Sequence, residues 1–192
     1  MGQDSSKIKK LYEEAMHYED IGDLQSALNT QIELFNLDSQ SYPSANVIAG
    51  LYGKLGQFDN EVLWATKATT IKADYSAGYI NLGNGYSGQG DLVKAEGSFN
   101  HALQLDSLNA IPYYSLGVLE EAKGDLKKAI AFYEKSVLVD ATFQDGYYNL
   151  AAAYANSKEF KKANDNILIL LKLNPNDKDA QEMHDHIMKE IK

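Results

Sequence analysis

Five copies of one 34-residue pattern follow one another without a gap, and this period constrains the fold more than any other property of the chain. The phrase Gly22-Asp23-Leu24 returns as Gly56-Gln57-Phe58, Gly90-Asp91-Leu92 and Gly124-Asp125-Leu126, and in worn form as Lys158-Glu159-Phe160. A fixed period of this length means stacked supersecondary units, each burying a face against the next. Such arrays offer extended surface, so partner binding is the function the period favours. Catalysis needs separate residues to argue it.

The chain has 192 residues, of which 44% are apolar, enough for a core and, by length, one domain. Its formal net charge is −9. A chain of that sign is repelled by phosphate backbones and anionic membrane surfaces, which argues against nucleic acid as a partner. No cysteine is present, so disulfides, zinc–thiolate sites and thiol catalysis are excluded while the compartment stays open. No apolar run, Ile167 to Leu171 included, approaches the length of a transmembrane segment. The expectation is a soluble protein of the cytoplasm or, where a signal peptide has been removed, of the periplasm or the secreted space. Met1-Gly2-Gln3-Asp4-Ser5-Ser6 fits the loose N-myristoylation pattern, although a Met-Gly start has commoner causes. Residues 1–7 are read as a polar, flexible lead-in.

Repeats set to begin at Ile8, Tyr42, Ser76, Ala110 and Gln144 occupy residues 8–41, 42–75, 76–109, 110–143 and 144–177. In the third, Tyr79, Leu82, Gly83 and Tyr86, then Leu92, Ala95, Phe99 and Ala102, recur at helical spacing on one face. The pattern breaks at Gly88-Gln89-Gly90 and restarts after Asp91, which can cap a second helix. Each unit is therefore a helix, a tight turn and a second, antiparallel helix. Ala15, Ala49, Gly83, Gly117 and Ala151 hold the eighth position, and Ala27, Ala95, Ala129 and Ala163 the twentieth. Small residues there let the paired helices approach closely.

Tyr79-Leu82-Gly83-Tyr86 and Ala95-Phe99-Ala102 resemble the motif of the tetratricopeptide repeat family, and the resemblance covers residues 8–177. It implies an all-α protein: a right-handed α-solenoid of five helix-turn-helix repeats. The family's proline survives only as Pro175. Glu14, Gln31, Glu61 and Glu120 stand at positions that are usually apolar or small, and all four are expected to meet water. Residues 178–192 carry the stripe Ala180, Met183, Ile187 and Ile191, which reads as a capping helix over the face from Ile167 to Leu171.

In this family the first helix of each repeat lines a concave groove that takes a peptide or a partner helix. Carried over, the groove residues are Tyr12, Asn46, Ile80, Asn81, Asn84, Ile111, Tyr114, Val118, Tyr148 and Asn149. The family's basic clamp for a C-terminal carboxylate is absent, since Lys54 has no basic neighbour across the groove. Asn46, Asn81, Asn84 and Asn149 read either as a ladder of amides for a ligand backbone or as polar residues on a wet surface. Ile80, Ile111, Tyr114, Val118 and Tyr148 read equally as an anchor patch or as packing between repeats.

No phosphate loop or nucleophile elbow appears, and His184 and His186 are two apart, the wrong spacing for a metal pair on a helix. No cofactor, metal or enzymatic activity is expected. The reading is a non-enzymatic adaptor, assembly factor or co-chaperone that binds a neutral or basic peptide or protein segment. A self-associating scaffold, forming homo-oligomers, and a dedicated chaperone for secreted proteins are the alternatives.

Overall fold

The computed structural model describes residues 2–191, with side chains from residue 6 onward. The Met-Gly start and its lipidation pattern fall largely outside the described side chains. Eleven α-helices and no strand are present among the described residues: α1 (Gly2–Asp20), α2 (Leu24–Leu37), α3 (Tyr42–Lys54), α4 (Phe58–Ile71), α5 (Ser76–Gly88), α6 (Leu92–Leu105), α7 (Ala110–Ala122), α8 (Leu126–Val139), α9 (Gln144–Asn156), α10 (Phe160–Leu173) and α11 (Lys178–Glu190). Helix α1 begins at Gly2, earlier than the lead-in expected over residues 1–7, and Lys7 pairs with Glu33 at 2.9 Å. The helices gather into two compact units that divide after Asp106, where sequence length had suggested one domain. In a repeat array each helix pair packs mainly on its sequence neighbours, so a division between neighbours costs few contacts.

The turn within each repeat explains the recurring glycine. Gly22, Gly56, Gly90 and Gly124 have φ between 70° and 82°, the left-handed region that closes a helix C-terminus. The next residue's N–H returns to the last turn, as Asp23 N does to Tyr18 O at 2.9 Å. Asp23, Asp91 and Asp125 then cap the following helix, each accepting at 3.1 Å from the backbone N–H three residues on. In the fifth copy Lys158 takes the left-handed conformation itself, with φ 61°, at a steric cost glycine does not have.

Within a repeat, the eighth position of the first helix meets the twenty-fourth of the second. A Cβ on Gly83 would lie 2.4 Å from the Phe99 ring, and one on Gly117 would lie 2.5 Å from the Tyr133 ring. Where the eighth residue is alanine, the twenty-fourth carries no ring: Ala15 with Gln31, Ala49 with Ala65, Ala151 with Ile167. Glycine is thus paired with aromatic, and alanine with something less bulky. All of Ala15, Ala49, Ala65, Ala151 and Ile167 have no exposed surface.

In the unit that runs to Asp106, Ala27, Leu28, Phe35, Ala45, Ile48, Leu51 and Ala68 form one core cluster. Trp64 packs edge-on to Phe35 with ring centroids 5.0 Å apart, and Lys67 Nζ lies 4.1 Å from its ring centre. In the second unit Tyr133, Leu150, Tyr154, Ile167 and Leu170 join Ala180 and Ile187 of α11 in one cluster, with Met183 packed against it. Ile191, Leu168 and Ile169 of the expected cap interface stay exposed.

Three of the four residues expected in water are buried. Gln31, Glu61 and Glu120 are only 6%, 3% and 5% exposed, while Glu14 is half-buried and pairs with Lys10. Gln31 fills the twenty-fourth position, which faces α1 whatever its polarity. Glu120 stands where other repeats carry Tyr18, Tyr52, Tyr86 and Tyr154, and Lys123 and Lys128 reach it at 2.8 and 3.5 Å. Ion pairing there replaces the water that the sequence suggested.

Two outcomes follow from this packing. Gly117→Ala should lower unfolding free energy in urea by roughly 1–3 kcal/mol, because a methyl cannot enter beside Tyr133. Adding Tyr133→Ile, the residue type that faces Ala151, should cost less in the Gly117→Ala background than in the parent chain. Lys158→Gly should raise stability by about 1 kcal/mol in the same assay by relieving the left-handed backbone.

Candidate functional site

The expected groove residues fall into two sets, one in each unit. In the first unit Tyr12 lies on α1 and is 47% exposed, whereas Ile80, at the equivalent position of α5, is 7% exposed and belongs to the core. A tyrosine at this position extends past its neighbours, but a short branched chain is covered by them, so Ile80 cannot serve as an anchor. Asn46 of α3 and Asn81 of α5 meet directly: Asn81 Nδ2 donates to Asn46 O at 3.0 Å and to Asn46 Oδ1 at 2.9 Å. Asn84, one turn further along α5, is exposed.

The second unit repeats this bond at the same two repeat positions. Asn149 Nδ2 of α9 donates to the Tyr114 hydroxyl of α7 at 3.0 Å. Tyr114 is half-buried against Phe143 and Tyr133, and burial pushes its hydroxyl pKa up. The Tyr133 hydroxyl donates to Glu121 at 2.9 Å, so this aromatic group is tied internally. Ile111 and Val118, two turns apart on α7, remain 45% and 40% exposed. Tyr148 lines a separate hollow of about 220 Å³ with Gln144, Asp145, Leu170, Asp177 and Asp179. Of the residues expected to bind, Asn81 and Asn149 thus spend donors on the neighbouring repeat, Tyr148 is half-buried against the core, and Tyr12, Asn84, Ile111 and Val118 stay open.

A pocket of about 430 Å³ in the first unit is lined by Gly50, Gly53 and Lys54 of α3, Phe58 and Glu61 of α4, and Asn81 and Asn84 of α5. Glu61 is one of the residues expected in water that the fold buries. It occupies the twentieth position, where Ala27, Ala95, Ala129 and Ala163 stand in the other repeats. The larger side chain fits because its surroundings are cut back. A Cβ on Gly53 would lie 2.6 Å from Glu61 Oε1, whereas one on Gly85 would meet Val62 Cγ2 first, at 2.8 Å. Ala65, four residues on, is the smallest occupant of the twenty-fourth position. The signal was visible as a break in the alanine series, coupled to a glycine at the twelfth position where other repeats carry Glu19, Ser87, Glu121 and Ala155.

The Glu61 carboxylate has no hydrogen bond or ion pair among the described residues, and burial alone raises its pKa from 4.5 to about 7. A larger hollow of about 730 Å³ at the α3–α4 turn differs in this respect. There Gln89 Nε2 donates to Asp59 Oδ1 at 2.7 Å and Asn60 Nδ2 to Gln57 Oε1 at 3.0 Å, so its side chains are bonded to one another. No cluster of three or more histidine and carboxylate side chains suited to a metal ion occurs among the described residues.

The tetratricopeptide repeat model matches residues 110–143, the span of the fourth copy. The chain has the helical-repeat fold of tetratricopeptide repeat proteins. No curated protein matches its sequence. Among solved structures, TTC0263, a thermophilic tetratricopeptide repeat protein of Thermus thermophilus, covers 95% of this chain and 99% of its own, with a TM-score of 0.82 and 17% identity. PilW, a widely conserved type IV pilus biogenesis factor, covers 96% and 86%, with a TM-score of 0.79 and 18% identity. PilF of Pseudomonas aeruginosa covers 98% and 86%, with a TM-score of 0.78 and 14% identity. At these identities the likeness is one of fold. Tetratricopeptide repeat proteins generally mediate protein–protein interactions, binding proteins or peptides, and the fold is typically a non-catalytic module. No helix among the described residues is long and apolar enough to cross a membrane.

The raised Glu61 pKa makes a stability prediction. The folded chain holds this proton more tightly than the unfolded chain, so the group's contribution is full below about pH 4.5 and is lost as pH rises through about 7. Glu61→Gln, which cannot ionise, should match the parent near pH 4.5 and exceed it by about 3 kcal/mol at pH 8. Urea unfolding at the two pH values reads the difference.

Proposed function

We propose that this tetratricopeptide repeat chain is a non-enzymatic interaction module that holds an extended, neutral or basic protein segment against its first-helix surfaces, as an adaptor or assembly factor does. The observation that carries the reading is the α3–α4–α5 pocket, which combines an unpartnered buried carboxylate with the open side chain of Asn84. Polar groups left open in a concave site are what a ligand satisfies. In the second unit Ile111 and Val118 supply exposed apolar contacts, and half-buried Tyr148 lines a hollow with Asp145, Asp177 and Asp179. Carboxylates in both places, with a net charge of −9, suit a basic segment and a salt-sensitive association.

Random peptides of about ten residues, long enough to reach roughly 30 Å when extended, test the reading. The full chain should select binders whose affinity falls roughly five- to thirtyfold in Tyr148→Ala or Asn84→Ala, about 1–2 kcal/mol, as fluorescence anisotropy reads it. Val93→Glu and Leu138→Glu change second-helix residues that are 82% and 75% exposed and should leave affinity unchanged. Failure to select any peptide, or loss of binding only in the second-helix variants, overturns the proposal.

A further inference from the structure

Buried carboxylates in this chain come in two kinds. Glu120 is 5% exposed and held by Lys123 and Lys128. Glu61 is 3% exposed and held by nothing among the described residues. A carboxylate largely withdrawn from water, with only the pocket opening to solvate it and no partner, is costly to keep ionised. Four other repeats avoid it with alanine at the same position. Here the cost is compounded, because Gly53 forgoes a side chain where a Cβ would crowd the Glu61 carboxylate. Glycine inside α3 also weakens that helix. Packing alone therefore accounts poorly for Glu61, and a bound cation accounts for it directly.

We infer that the pocket between α3, α4 and α5 is a cation-recognition site, in which the Glu61 carboxylate receives the ammonium or guanidinium of a lysine or arginine from a bound protein segment. The inference deepens the protein-binding function proposed above and rests on it. The pocket volume of about 430 Å³ lies within the roughly 300–1,000 Å³ range of small-ligand sites. Glycines at Gly50 and Gly53 leave the α3 wall low, and Phe58 gives an apolar side against which an alkyl stem can lie. Asn84 lines the same pocket with an acceptor and two donors, and Asn81 keeps its carbonyl oxygen after donating to Asn46. Glu61 lies in the first turn of α4, where the helix dipole favours the anion once a cation arrives. Lys54 is the one other ionisable side chain lining the pocket; it is exposed and forms no ion pair with Glu61. No ionisable group of α5 lines it.

A cation that binds the ionised form lowers the carboxyl pKa, so binding strengthens as pH rises through about 7. The test titrates the full chain, carbon-13 labelled in its glutamates, with the peptide Gly-Ser-Arg-Ser-Gly, its lysine counterpart, and a citrulline counterpart that keeps the shape without the charge. The arginine and lysine peptides should shift the Glu61 carboxyl titration to lower pH by about one unit at saturation, equivalent to binding about tenfold tighter to the ionised form. The citrulline peptide should not shift it. Glu61→Ala carries the residue of four other repeats and should fold while losing the tenfold preference of arginine over citrulline. Lys54→Met, which removes the resident cation, should keep or strengthen that preference. An unmoved Glu61 titration, or equal effects of arginine and citrulline, overturns the inference. If selected peptides still bind in a manner sensitive to Tyr148→Ala, the protein-binding function survives that loss; if no peptide binds, both fall.

Discussion

The close contact between the first and second helix of each repeat is the constraint on which the rest of the structure depends. It sits where the eighth residue meets the twenty-fourth, and its two sides trade volume. Gly83 and Gly117 admit the rings of Phe99 and Tyr133; Ala15, Ala49 and Ala151 face Gln31, Ala65 and Ile167. Close packing makes the exchange obligatory, since interiors hold few voids and tolerate little overlap. With the pair spacing set there, the glycine turn can close each first helix, and aspartate can start the next where it is present. The 34-residue period is the sequence image of this unit.

The same logic carries the repeats onto one another within each unit. Asn81 reaches back to Asn46, and Asn149 reaches back to Tyr114, over an equal sequence separation of 35 residues. One repeat position donates and its neighbour's preceding position accepts, whether the acceptor is an amide or a phenol. This interaction explains why amides on the first helices are only partly available to a ligand. It also separates the fully open Asn84 from the engaged Asn81.

Helix boundaries and the all-α class were legible in the sequence because period, glycine turns and aspartate caps agree locally. The terminal helix showed itself through the stripe of Ala180, Met183 and Ile187, which packs in the last core cluster. The site was much less legible. Ile80 and Tyr12 hold equivalent positions, yet only side-chain length decides which one surfaces. Glu61 looked like a solvent-facing departure because charge usually predicts exposure. Its burial depends on two other residues, Gly53 and Ala65, each of them ordinary when read one at a time. Glu120 misled for the same reason, with Lys123 and Lys128 supplying what water was expected to supply. The division after Asp106 leaves no mark in the period itself, since the fourth copy begins in step with the third.

The pocket around Glu61 draws its lining only from residues between Gly50 and Asn84, all on three consecutive helices. Selection can therefore rewrite it by substitutions within a stretch about one period long, without renegotiating the cores on either side. A tandem array of this kind behaves like a keyboard. Each window of adjacent helices can acquire its own chemical preference, and duplication or loss of a window changes the order of those preferences along the chain rather than the architecture that displays them.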